Sequence, residues 1–255
     1  MGKIISFLVR NIPRKYLIRF SFLFSRLIRV FYIGNNVECP VCEGHFKKFL
    51  PYGIRGRSNA LCPKCLSLER HRLLWLFLKN KTNFFTENLK VLHVAPEQPV
   101  YKKFRKMKNL VYTTADLGSP IADIKLDIQN IPFDDNSFDV VICNHVLEHV
   151  KNDKKAMSEI FRILKKDGFA LLQVPIDINK KKTFEDPTVT DPKERERLFW
   201  QKDHLRLYGL DYADILRNSG FTVAEEKYAQ EIGKELVDRY SIFNNEVVYL
   251  CKKCC

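Results

Sequence analysis

Short apolar runs alternate with amphipathic stretches over the second two thirds of the chain. Five runs rich in β-branched and aromatic residues lack strict alternation of apolar and polar positions, which is typical of parallel strands buried on both faces. These runs are "KVLHVA", "LVYTTAD", "IKLDI", "FDVVICN" and "GFALLQV". Between them, "PVYKKFRKMK" and "NDKKAMSEIFRILKK" place their apolar residues on one helical face. The pattern predicts an α/β domain over residues 89–253.

The end of this domain predicts a different connection. "FTVAEEKY" and "EVVYLCKK" have the composition of strands, and no convincing crossover helix separates them. We therefore expect an antiparallel pair at the edge of the sheet. Five parallel strands and a reversed terminal hairpin form a doubly wound, Rossmann-like sheet. Its ligand crevice lies at the carboxyl ends of the strands, where the strand order reverses.

Residues 1–35 predict a basic amphipathic helix. Spaced at about 100° per residue, most of the arginines and lysines share one arc, and most of the aromatic and aliphatic residues fill the other. Such a helix lies in a membrane interface, here through residues 3–33; the alternative is that it docks on its own protein or on a partner. Its longest charge-free stretch, Val30–Val37, is far shorter than the roughly 20 residues of a spanning helix. Arginines interrupt the apolar part, so a signal peptide is not expected.

The net charge of +13 is concentrated at the front of the chain. Residues 1–35 contain seven lysines and arginines and no acid, and residues 36–72 contain seven against three acids. The remainder is nearly neutral. The front end is therefore expected to meet an anionic surface. Together with the amphipathic helix, this predicts a cytoplasmic protein that is peripheral on the inner face of the membrane.

Four of the eight cysteines form two matched pairs. Cys39 and Cys42 lie in "CPVC", Cys62 and Cys65 lie in "CPKC", and nineteen residues separate the pairs. Two thiolates across a tight turn occupy adjacent corners of a tetrahedron, and a second turn supplies the other two. Because four sulfurs leave no open position, we expect a structural Zn²⁺ in a ribbon-like module over residues 36–68. Four free thiols are the alternative.

A helix is predicted to connect this module to the α/β domain over residues 69–88. The segment "SLERHRLLWLFLKN" has a serine, Ser67, in position for an N-cap before a run of leucines and aromatics.

Cysteines grouped in close pairs favour metal thiolates in a reducing cytoplasm over disulfides.

Two long sequence motifs in the second half of the chain resemble those of a known family. "LDIQNIPFDDNSFDVVICNHVLEHV", followed by "AMSEIFRILKKDGFALLQVP", resembles the class I S-adenosylmethionine-dependent methyltransferases. Zinc knuckles before such a domain, with "LCPKCLSLERHRLLW", "HVAPE" and "DHLRLYGLDY", resemble a bacterial group of predicted methyltransferases. The resemblance covers nearly all of the chain after residue 38. It implies a methyltransferase that uses S-adenosylmethionine.

The resemblance also implies a set of cofactor-binding residues. In the family, an acid that ends the second strand meets the ribose, an acidic and apolar pair meets the adenine, and residues after the fourth strand face the methionine portion. The matching positions are Asp116 with Leu117, Asp127 with Ile128, and Asn144 with His145. The alternative for each acid is a solvated side chain or a helix cap.

The first strand departs from the family pattern in the loop "VLHVAPEQP". His93 stands where the family usually has an acid, and Ala95, Glu97 and Pro99 stand where it usually has glycines. A Cβ restricts positive φ and close approach of a ligand to the backbone. The cofactor has no phosphate to bind, and it carries a sulfonium and an ammonium with which Glu97 could pair. We expect a working site of altered geometry; the alternative is a degenerate domain that binds no cofactor.

The chemistry expected from this resemblance is transfer of a methyl group. If the acceptor is a hydroxyl, a base is useful, and His145 or His204 could serve near neutral pH. His145, Glu148 and His149 could instead collect a divalent metal, or Glu148 and His149 could fix a helix by hydrogen bonds. The polar segment from Thr183 to His204, which follows the fifth strand, is the predicted substrate lid.

The acceptor and partners are left open by the sequence. The first hypothesis is a glycan or other small-molecule acceptor handled near a membrane surface. The second is RNA, bound through the basic residues of the cysteine module: Lys47, Lys48, Arg55, Arg57, Arg70 and Arg72. The third is a catalytically inactive methyltransferase-like binding protein. No pattern sets the oligomeric state.

Overall fold

The computed structural model describes residues 28–53 and 56–253. The helix predicted over residues 1–35, and with it the membrane contact through residues 3–33, lies mostly outside the described residues. Its described end is a 3-10 helix, Arg29–Tyr32, that leads directly into a strand. No helix within residues 28–53 and 56–253 is long and apolar enough to cross a membrane.

The strands and helices follow one another in short elements. The strands are β1 (Ile33–Cys39), β2 (Gly44–Phe46), β3 (Leu50–Tyr52), β4 (Arg57–Leu61), β5 (Leu89–Val94), β6 (Leu110–Asp116), β7 (Ile124–Lys125), β8 (Phe138–Asn144), β9 (Leu164–Gln173), β10 (Phe184–Glu185), β11 (Arg206–Leu207), β12 (Thr222–Glu226) and β13 (Val248–Lys252). The helices are α1 (Glu69–Lys81), α2 (Gln98–Phe104), α3 (Asp153–Ile163), α4 (Pro192–Phe199), α5 (Tyr212–Asn218), α6 (Tyr228–Glu231) and α7 (Gly233–Tyr240). The five predicted parallel strands correspond to β5 through β9.

The chain divides into two compact units, each of which is discontinuous in sequence. The first unit contains the described residues up to Phe85 together with Glu97–Lys103 and Tyr228–Glu246. The second unit contains Thr86–Pro96, Phe104–Lys227 and the described residues from Val247 onward. The sequence predicts continuous domains instead, and those boundaries stay a prediction.

In the first unit, two antiparallel strand pairs precede a helix. β1 pairs with β2, and β3 pairs with β4. Helix α1 then runs over most of the predicted segment 69–88. The predicted N-cap at Ser67 is wrong, because the N-cap residue is Leu68. The backbone N–H of Leu68 donates to Nδ1 of His71 at 3.0 Å, so a histidine side chain satisfies the free donor at this helix start.

In the second unit, seven strands form one sheet in the order β12-β13-β9-β8-β5-β6-β7. Strands β5 to β9 run parallel, and β13 is antiparallel to both β9 and β12. The predicted Rossmann-like sheet with an antiparallel pair at its edge is confirmed. The prediction that no helix separates the last two strands is wrong, because α6 and α7 lie between them in sequence and belong to the first unit.

The strand order reverses at β5. Strands β6 and β7 follow on one side of it, whereas β8 and β9 follow on the other. In open sheets of this kind, ligands bind beyond the carboxyl ends of the strands at such a reversal. The loops after β5, β6 and β8 are therefore the ones that position a site.

Helix α3 covers part of this sheet through a buried stripe. Ala156, Met157, Ile160 and Ile163 are fully buried and belong to the same core cluster as residues of β5 and β8. Their three- and four-residue spacing is the period of an amphipathic helix. The cluster also contains Cys143 and Cys251, which are therefore core residues. Cys254 and Cys255 lie outside the described residues.

Candidate active site and metal centre

The structure brings the four paired cysteines together in the first unit. Their Sγ atoms all lie within 4.8 Å of one another. Sγ of Cys39 is 3.6 Å from that of Cys65, and Sγ of Cys42 is 3.7 Å from that of Cys62. A Zn–S bond of about 2.3 Å in a tetrahedron separates sulfurs by about 3.8 Å. We call these four residues the cysteine cluster, and its spacing fits a four-thiolate zinc ion.

The two turns that carry these cysteines have the same backbone geometry. Glu43 N–H donates to the carbonyl of Cys39 at 2.8 Å, and Leu66 N–H donates to that of Cys62 at 3.0 Å. The residue after the second cysteine of each pair is left-handed, with φ of 55° at Glu43 and 62° at Leu66. Neither is a glycine, so each turn keeps a conformation that costs energy for an L-residue. A metal ion bound by the cysteines of both turns would offset such a cost.

Polar groups around the cysteine cluster suit a thiolate set. The hydroxyl of Ser67 lies 3.1 Å from Sγ of Cys39 and 3.3 Å from that of Cys65. Although burial opposes ionisation of Cys39, hydrogen bonds from the other thiols and from Ser67 hold its pKa well below the usual value. Burial and hydrogen bonds to Cys39 and Cys42 raise the pKa of Cys62. Burial and the closeness of the four sulfurs therefore oppose ionisation of all four together, and a divalent ion would favour it by binding the thiolates.

In the second unit, the two central strands of the sheet end in the same unusual way. Ala95 follows β5 with φ of 48°, and His145 follows β8 with φ of 55°. Ala95 N–H donates to the carbonyl of Ala115 at 2.8 Å, and His145 N–H donates to that of Gln173 at 2.7 Å. The left-handed backbone that the missing glycine would favour is thus present at Ala95. A non-glycine residue there costs about 1–2 kcal/mol.

His93 lies inside β5 and is fully buried. Its Nδ1 is 2.7 Å from the hydroxyl of Tyr112 on β6. The imidazole also packs edge-on against the ring of Tyr112 and at a tilt against that of Phe104, with centroids about 6 Å apart in both pairs. The residue that replaces the family's usual acid therefore ties β5 to β6. Its predicted contact with a cofactor stays a prediction.

Asp116 ends β6 with a half-buried carboxylate. Its Oδ1 accepts from the backbone N–H groups of Gly118 at 2.7 Å and Ser119 at 2.6 Å. These bonds fix the turn and leave Oδ2 outside it. The next residue, Leu117, is 63% exposed, although it follows a buried strand. A carboxylate oxygen beside an exposed apolar side chain suits a ligand that has both hydroxyls and a flat apolar face.

Asp127 and Ile128 follow β7. Asp127 is exposed, and its Oδ1 accepts from the backbone N–H of Gln129 at 2.9 Å. Ile128 is buried in the core cluster. The structure thus exposes the acid and buries the apolar residue that follows it, and their contact with adenine stays a prediction.

Glu97 belongs to the first unit, unlike the other predicted cofactor residues. Its Oε1 lies 2.9 Å from Nε2 of His71 and accepts from Nε of Arg70 at 3.1 Å. Because Nδ1 of His71 accepts from the Leu68 N–H, Nε2 carries the proton and donates to Glu97. An arginine and a histidine therefore already occupy this carboxylate oxygen. The predicted pairing of Glu97 with a cofactor cation is not tested.

Asn144 and His145 lie at the end of β8, directly before a second group of polar side chains. Glu148, His149 and His204 place one donor atom each within 4.8 Å of one another, and we call them the histidine cluster. His145 Nδ1 lies 3.6 Å from Oε1 of Glu148. Both predicted catalytic histidines thus border Glu148. Burial of the His204 imidazole lowers its pKa.

The segment after β9 is fastened at its base. β10 pairs with β11 in antiparallel fashion, and α4 lies between them in sequence. Asp191 caps α4 by accepting from the Glu194 N–H at 2.9 Å. The predicted lid, Thr183 to His204, therefore contains both a strand and a helix. Its role as a lid stays a prediction.

Arg206, directly after this segment, is fully buried and was not predicted from sequence. Its guanidinium donates to the carbonyls of Leu147 at 2.8 Å and Lys151 at 3.0 Å, and to the carboxylate of Glu185 at 2.9 Å. It holds the 3-10 turn Leu147–His149 in place. The local pattern gives no signal of this burial, because strand alternation in "HLRLYG" would place Arg206 on the face opposite its two leucine neighbours.

Comparison with known proteins finds a family model that matches one stretch of the chain. Residues 82–172 match a family model described as a methyltransferase domain. An uncharacterized protein of Methanocaldococcus jannaschii is 43% identical over 67 residues, which are 26% of this chain and 28% of that protein. YcgJ, an uncharacterized methyltransferase of Bacillus subtilis, is 41% identical over 44 residues, 17% of each chain. These matches span less than a third of the relatives' length.

Among solved structures, the [4+2]-cyclase SpnF is similar with a TM-score of 0.53 at 16% sequence identity. The similarity covers 85% of this chain and 92% of that one. At such an identity the likeness concerns the fold alone, which hosts more than one kind of chemistry. The family match is narrower and more specific: it concerns residues 82–172 alone, which are similar to a methyltransferase domain.

Proposed function

We propose that the protein transfers a methyl group from S-adenosylmethionine to a small-molecule acceptor. The observation that carries this proposal is the position of Asp116, at the end of β6 within the stretch that matches the methyltransferase domain. Its Oδ1 holds the turn through Gly118 and Ser119, while Oδ2 is left to accept hydrogen bonds from a ribose. A carboxylate at the end of the strand beside the reversal point is where a nucleoside is expected in such sheets.

The other cofactor contacts are proposed around the same reversal point. Leu117 would cover one face of the adenine, and Asp127 and Ile128 would meet its edge. Ala95 and His145, with their left-handed backbones, would turn the chain away from the methionine portion, and Asn144 would face it. His93 contacts Tyr112 from within β5. It would therefore support the cofactor site indirectly, by stabilising this strand.

S-adenosylmethionine supplies a methyl group on a sulfonium, which leaves as a neutral thioether. For a hydroxyl acceptor, the oxygen–carbon bond forms as the carbon–sulfur bond breaks, and the hydroxyl proton must go to a base. His145 and His204 are the proposed bases. Nδ1 of His204 donates to the carbonyl of Phe199 at 2.8 Å, so Nε2 carries the lone pair that would accept a proton. Alignment of acceptor and methyl supplies much of the rate.

We further propose that the cysteine cluster holds a structural zinc ion. Its four sulfurs have the spacing of a tetrahedral site, and all four positions would be filled by the chain. The ion would fix the two turns of the module and take no part in methyl transfer.

A glycan acceptor near a membrane is proposed as the narrower form of this function. It rests on the front segment, of which the described end exposes apolar side chains: Val30, Phe31 and Ile33 are 61%, 79% and 61% exposed. Flotation of the protein with anionic vesicles, compared with a variant lacking residues 1–27, tests this part. Equal flotation of the two proteins contradicts it.

RNA is the second candidate acceptor. Several of the basic residues predicted to bind it form ion pairs within the protein or are buried. Arg57 pairs with Glu69 at 3.2 Å, Arg70 pairs with Glu97, and Arg72 is fully buried. Lys47 and Lys48 are exposed, and Arg55 lies outside the described residues. We therefore prefer a small molecule. Methylation or RNA binding that falls steeply with added salt would reverse this preference.

Calorimetric titration of the zinc-loaded protein with S-adenosylmethionine tests the central proposal. The variant Asp116→Asn keeps an oxygen for the turn but loses the charge and the second acceptor. We expect its affinity to fall about ten- to a hundredfold, because hydrogen bonds to charged groups contribute about 1.5–3 kcal/mol. Asp214→Asn, an exposed aspartate on α5, is the control and should bind as the wild type does.

Two results would contradict the proposal. If the wild type binds no S-adenosylmethionine, the domain is degenerate and the chain is a binding protein of methyltransferase fold. If Asp116→Asn and Asp214→Asn bind equally well, the ribose contact is assigned to the wrong residue.

A further inference from the structure

We propose that the histidine cluster, Glu148, His149 and His204, binds a divalent transition-metal ion. This site is separate from the zinc site and goes beyond methyl transfer. It requires neither S-adenosylmethionine nor an acceptor, so it can be present whether or not the chain is a methyltransferase.

The burial of the donors is the first observation. Glu148 and His204 are each 1% exposed. Oε2 of Glu148 and Nε2 of His204 are buried and have no hydrogen-bond partner among the residues of the described ranges. An unsatisfied carboxylate oxygen is unfavourable in a low-dielectric interior. A cation between the two atoms removes this penalty.

The orientation of the imidazoles is the second observation. Nδ1 of His204 donates to the carbonyl of Phe199 at 2.8 Å, and Nδ1 of His149 donates to that of Asp203 at 3.2 Å. Each ring therefore keeps its lone pair on Nε2. A backbone carbonyl behind the far nitrogen is the usual support of a metal-bound histidine, because it fixes both tautomer and ring direction.

The rigidity of the surroundings is the third observation. Leu205 N–H donates to the carbonyl of Glu148 at 2.8 Å, and Arg206 holds the carbonyls of Leu147 and Lys151. The chain around His204 is thus fastened to the turn that carries Glu148 and His149. The three donors are brought together before any ion arrives.

The donor set selects the class of ion. Two imidazole nitrogens and one carboxylate oxygen suit zinc, manganese, iron, cobalt or nickel better than calcium or magnesium. Three protein donors leave positions open, and the side chain of His149 is 34% exposed, so solvent reaches the site. A closed structural site would have neither property.

A consequence for the acceptor rests on the proposed function. An open metal position beside His145 and Asn144 would take an oxygen ligand, which favours a hydroxyl or phenol as methyl acceptor. The lone pair of His204 would then be occupied by the metal. Of the two proposed bases, only His145 would remain to accept the proton.

Titration with cobalt(II) alone tests the site, on protein whose cysteine cluster is already filled with zinc. We expect one additional cobalt per chain, with weak visible bands and without the near-ultraviolet thiolate band that a cysteine site gives. His149→Ala removes an exposed ligand and should fold normally while weakening binding at least tenfold. Glu148→Gln, which keeps the shape of the buried acid, should weaken it as well.

His45→Ala is the matched control, because His45 is an exposed histidine on β2 that is not part of either cluster. It should bind cobalt as the wild type does. Absence of cobalt binding beyond the zinc content would overturn the proposal, as would equal binding by His149→Ala and His45→Ala. Because the assay contains no S-adenosylmethionine, these outcomes are independent of whether the methyl-transfer proposal holds.

Discussion

The cysteine cluster and the histidine cluster both bring metal-ligating side chains together, but they differ in the kind of donor and in their openness to solvent. In the cysteine cluster, four identical donors come from two turns of the same backbone geometry. In the histidine cluster, three donors of two kinds come from a 3-10 turn and from a residue more than fifty positions later in the chain. The first set is closed and points to structure, whereas the second is open on the side of His149 and points to ligand exchange.

Each region also depends on one fully buried arginine. In the first unit, Arg72 donates to the carbonyls of Ala60, Ser67, Tyr240 and Ser241 at distances between 2.6 and 2.9 Å. In the second unit, Arg206 does the same for the turn that carries Glu148. A buried guanidinium can satisfy several carbonyls at once, so the two clusters share a form of support even though their chemistry differs.

Removal of one sulfur should produce the largest effect. Cys62→Ala should abolish stoichiometric zinc and unfold much of the first unit, because structural zinc contributes about 10 kcal/mol or more to small modules. The protein has two tryptophans, and Trp75 lies in the first unit while Trp200 lies in the second. Fluorescence of the Trp200→Phe background therefore reports the first unit, and metal analysis reports the zinc.

The control for this experiment is Cys143→Ala, which removes a buried core thiol of the second unit. It should retain zinc and lose about 1 kcal/mol of stability through a small cavity. Full zinc content in Cys62→Ala would mean that the cysteine cluster is not the zinc site.

Removal of the buried arginines should have the next largest effect. Arg72→Met and Arg206→Met each leave several buried carbonyls unsatisfied, and we expect a loss of about 3–5 kcal/mol in the free energy of unfolding. Arg206→Met should also weaken cobalt binding at the histidine cluster and leave zinc unchanged. Arg217→Met, on an exposed ion pair with Asp214, should cost less than about 1 kcal/mol. Urea unfolding distinguishes these cases, and equal losses at all three arginines would contradict the role of burial.

Acidification should have a smaller effect on stability, and it should affect the two units at different pH values. Hydrogen bonds from Arg162 lower the pKa of Glu159, on α3, to about 2, against the opposing effect of burial. The stability that Glu159 contributes is therefore present above its unfolded pKa of about 4.5 and is lost as the pH falls through about 2. Glu159→Gln should lose about 1–3 kcal/mol at neutral pH. The variant and the wild type should converge in strong acid.

The measurement is unfolding monitored through Trp200 in the Trp75→Phe background at neutral and acidic pH. Thiolate protonation should release zinc from the first unit at a higher pH than the one at which the Glu159 contribution is lost. A difference between Glu159→Gln and the wild type that grows as the pH falls would have the wrong sign.

Relief of backbone strain should have the smallest effect. Ala95→Gly should stabilise the second unit, and Leu66→Gly the first, by at most about 1 kcal/mol each, because the gain at positive φ exceeds the entropy cost of glycine only slightly. Thermal unfolding measures both. Destabilisation by either glycine would show that the lost side chain packs more than its backbone is strained.

The sequence predicts the features that depend on local patterns. The cysteine spacing predicts the cluster, since each pair occupies a single turn, and the apolar runs predict β5 to β9 because a buried strand needs such a run. The edge pair follows from the two final runs. Asp116 ends β6 and Asp127 follows β7, as their spacing indicates.

Contacts between distant residues could not be predicted in this way. Ser67 was expected to cap α1, but its hydroxyl lies against two sulfurs, and His71 satisfies the Leu68 N–H instead. Arginine is normally a surface residue, so composition gives no sign that Arg72 and Arg206 are buried. His204 lies more than fifty residues after Glu148 and approaches it only through the tertiary fold. Helical periodicity gives no information about such a contact.

The discontinuity of the first unit has a consequence for the order of synthesis. Arg72 reaches the carbonyls of Tyr240 and Ser241, 168 and 169 residues later in the chain. On the ribosome, the cysteine turns emerge long before these carbonyls do. The nascent module therefore spends most of translation with the Arg72 guanidinium only partly satisfied, and early capture of zinc would hold the unit together until its last segment arrives.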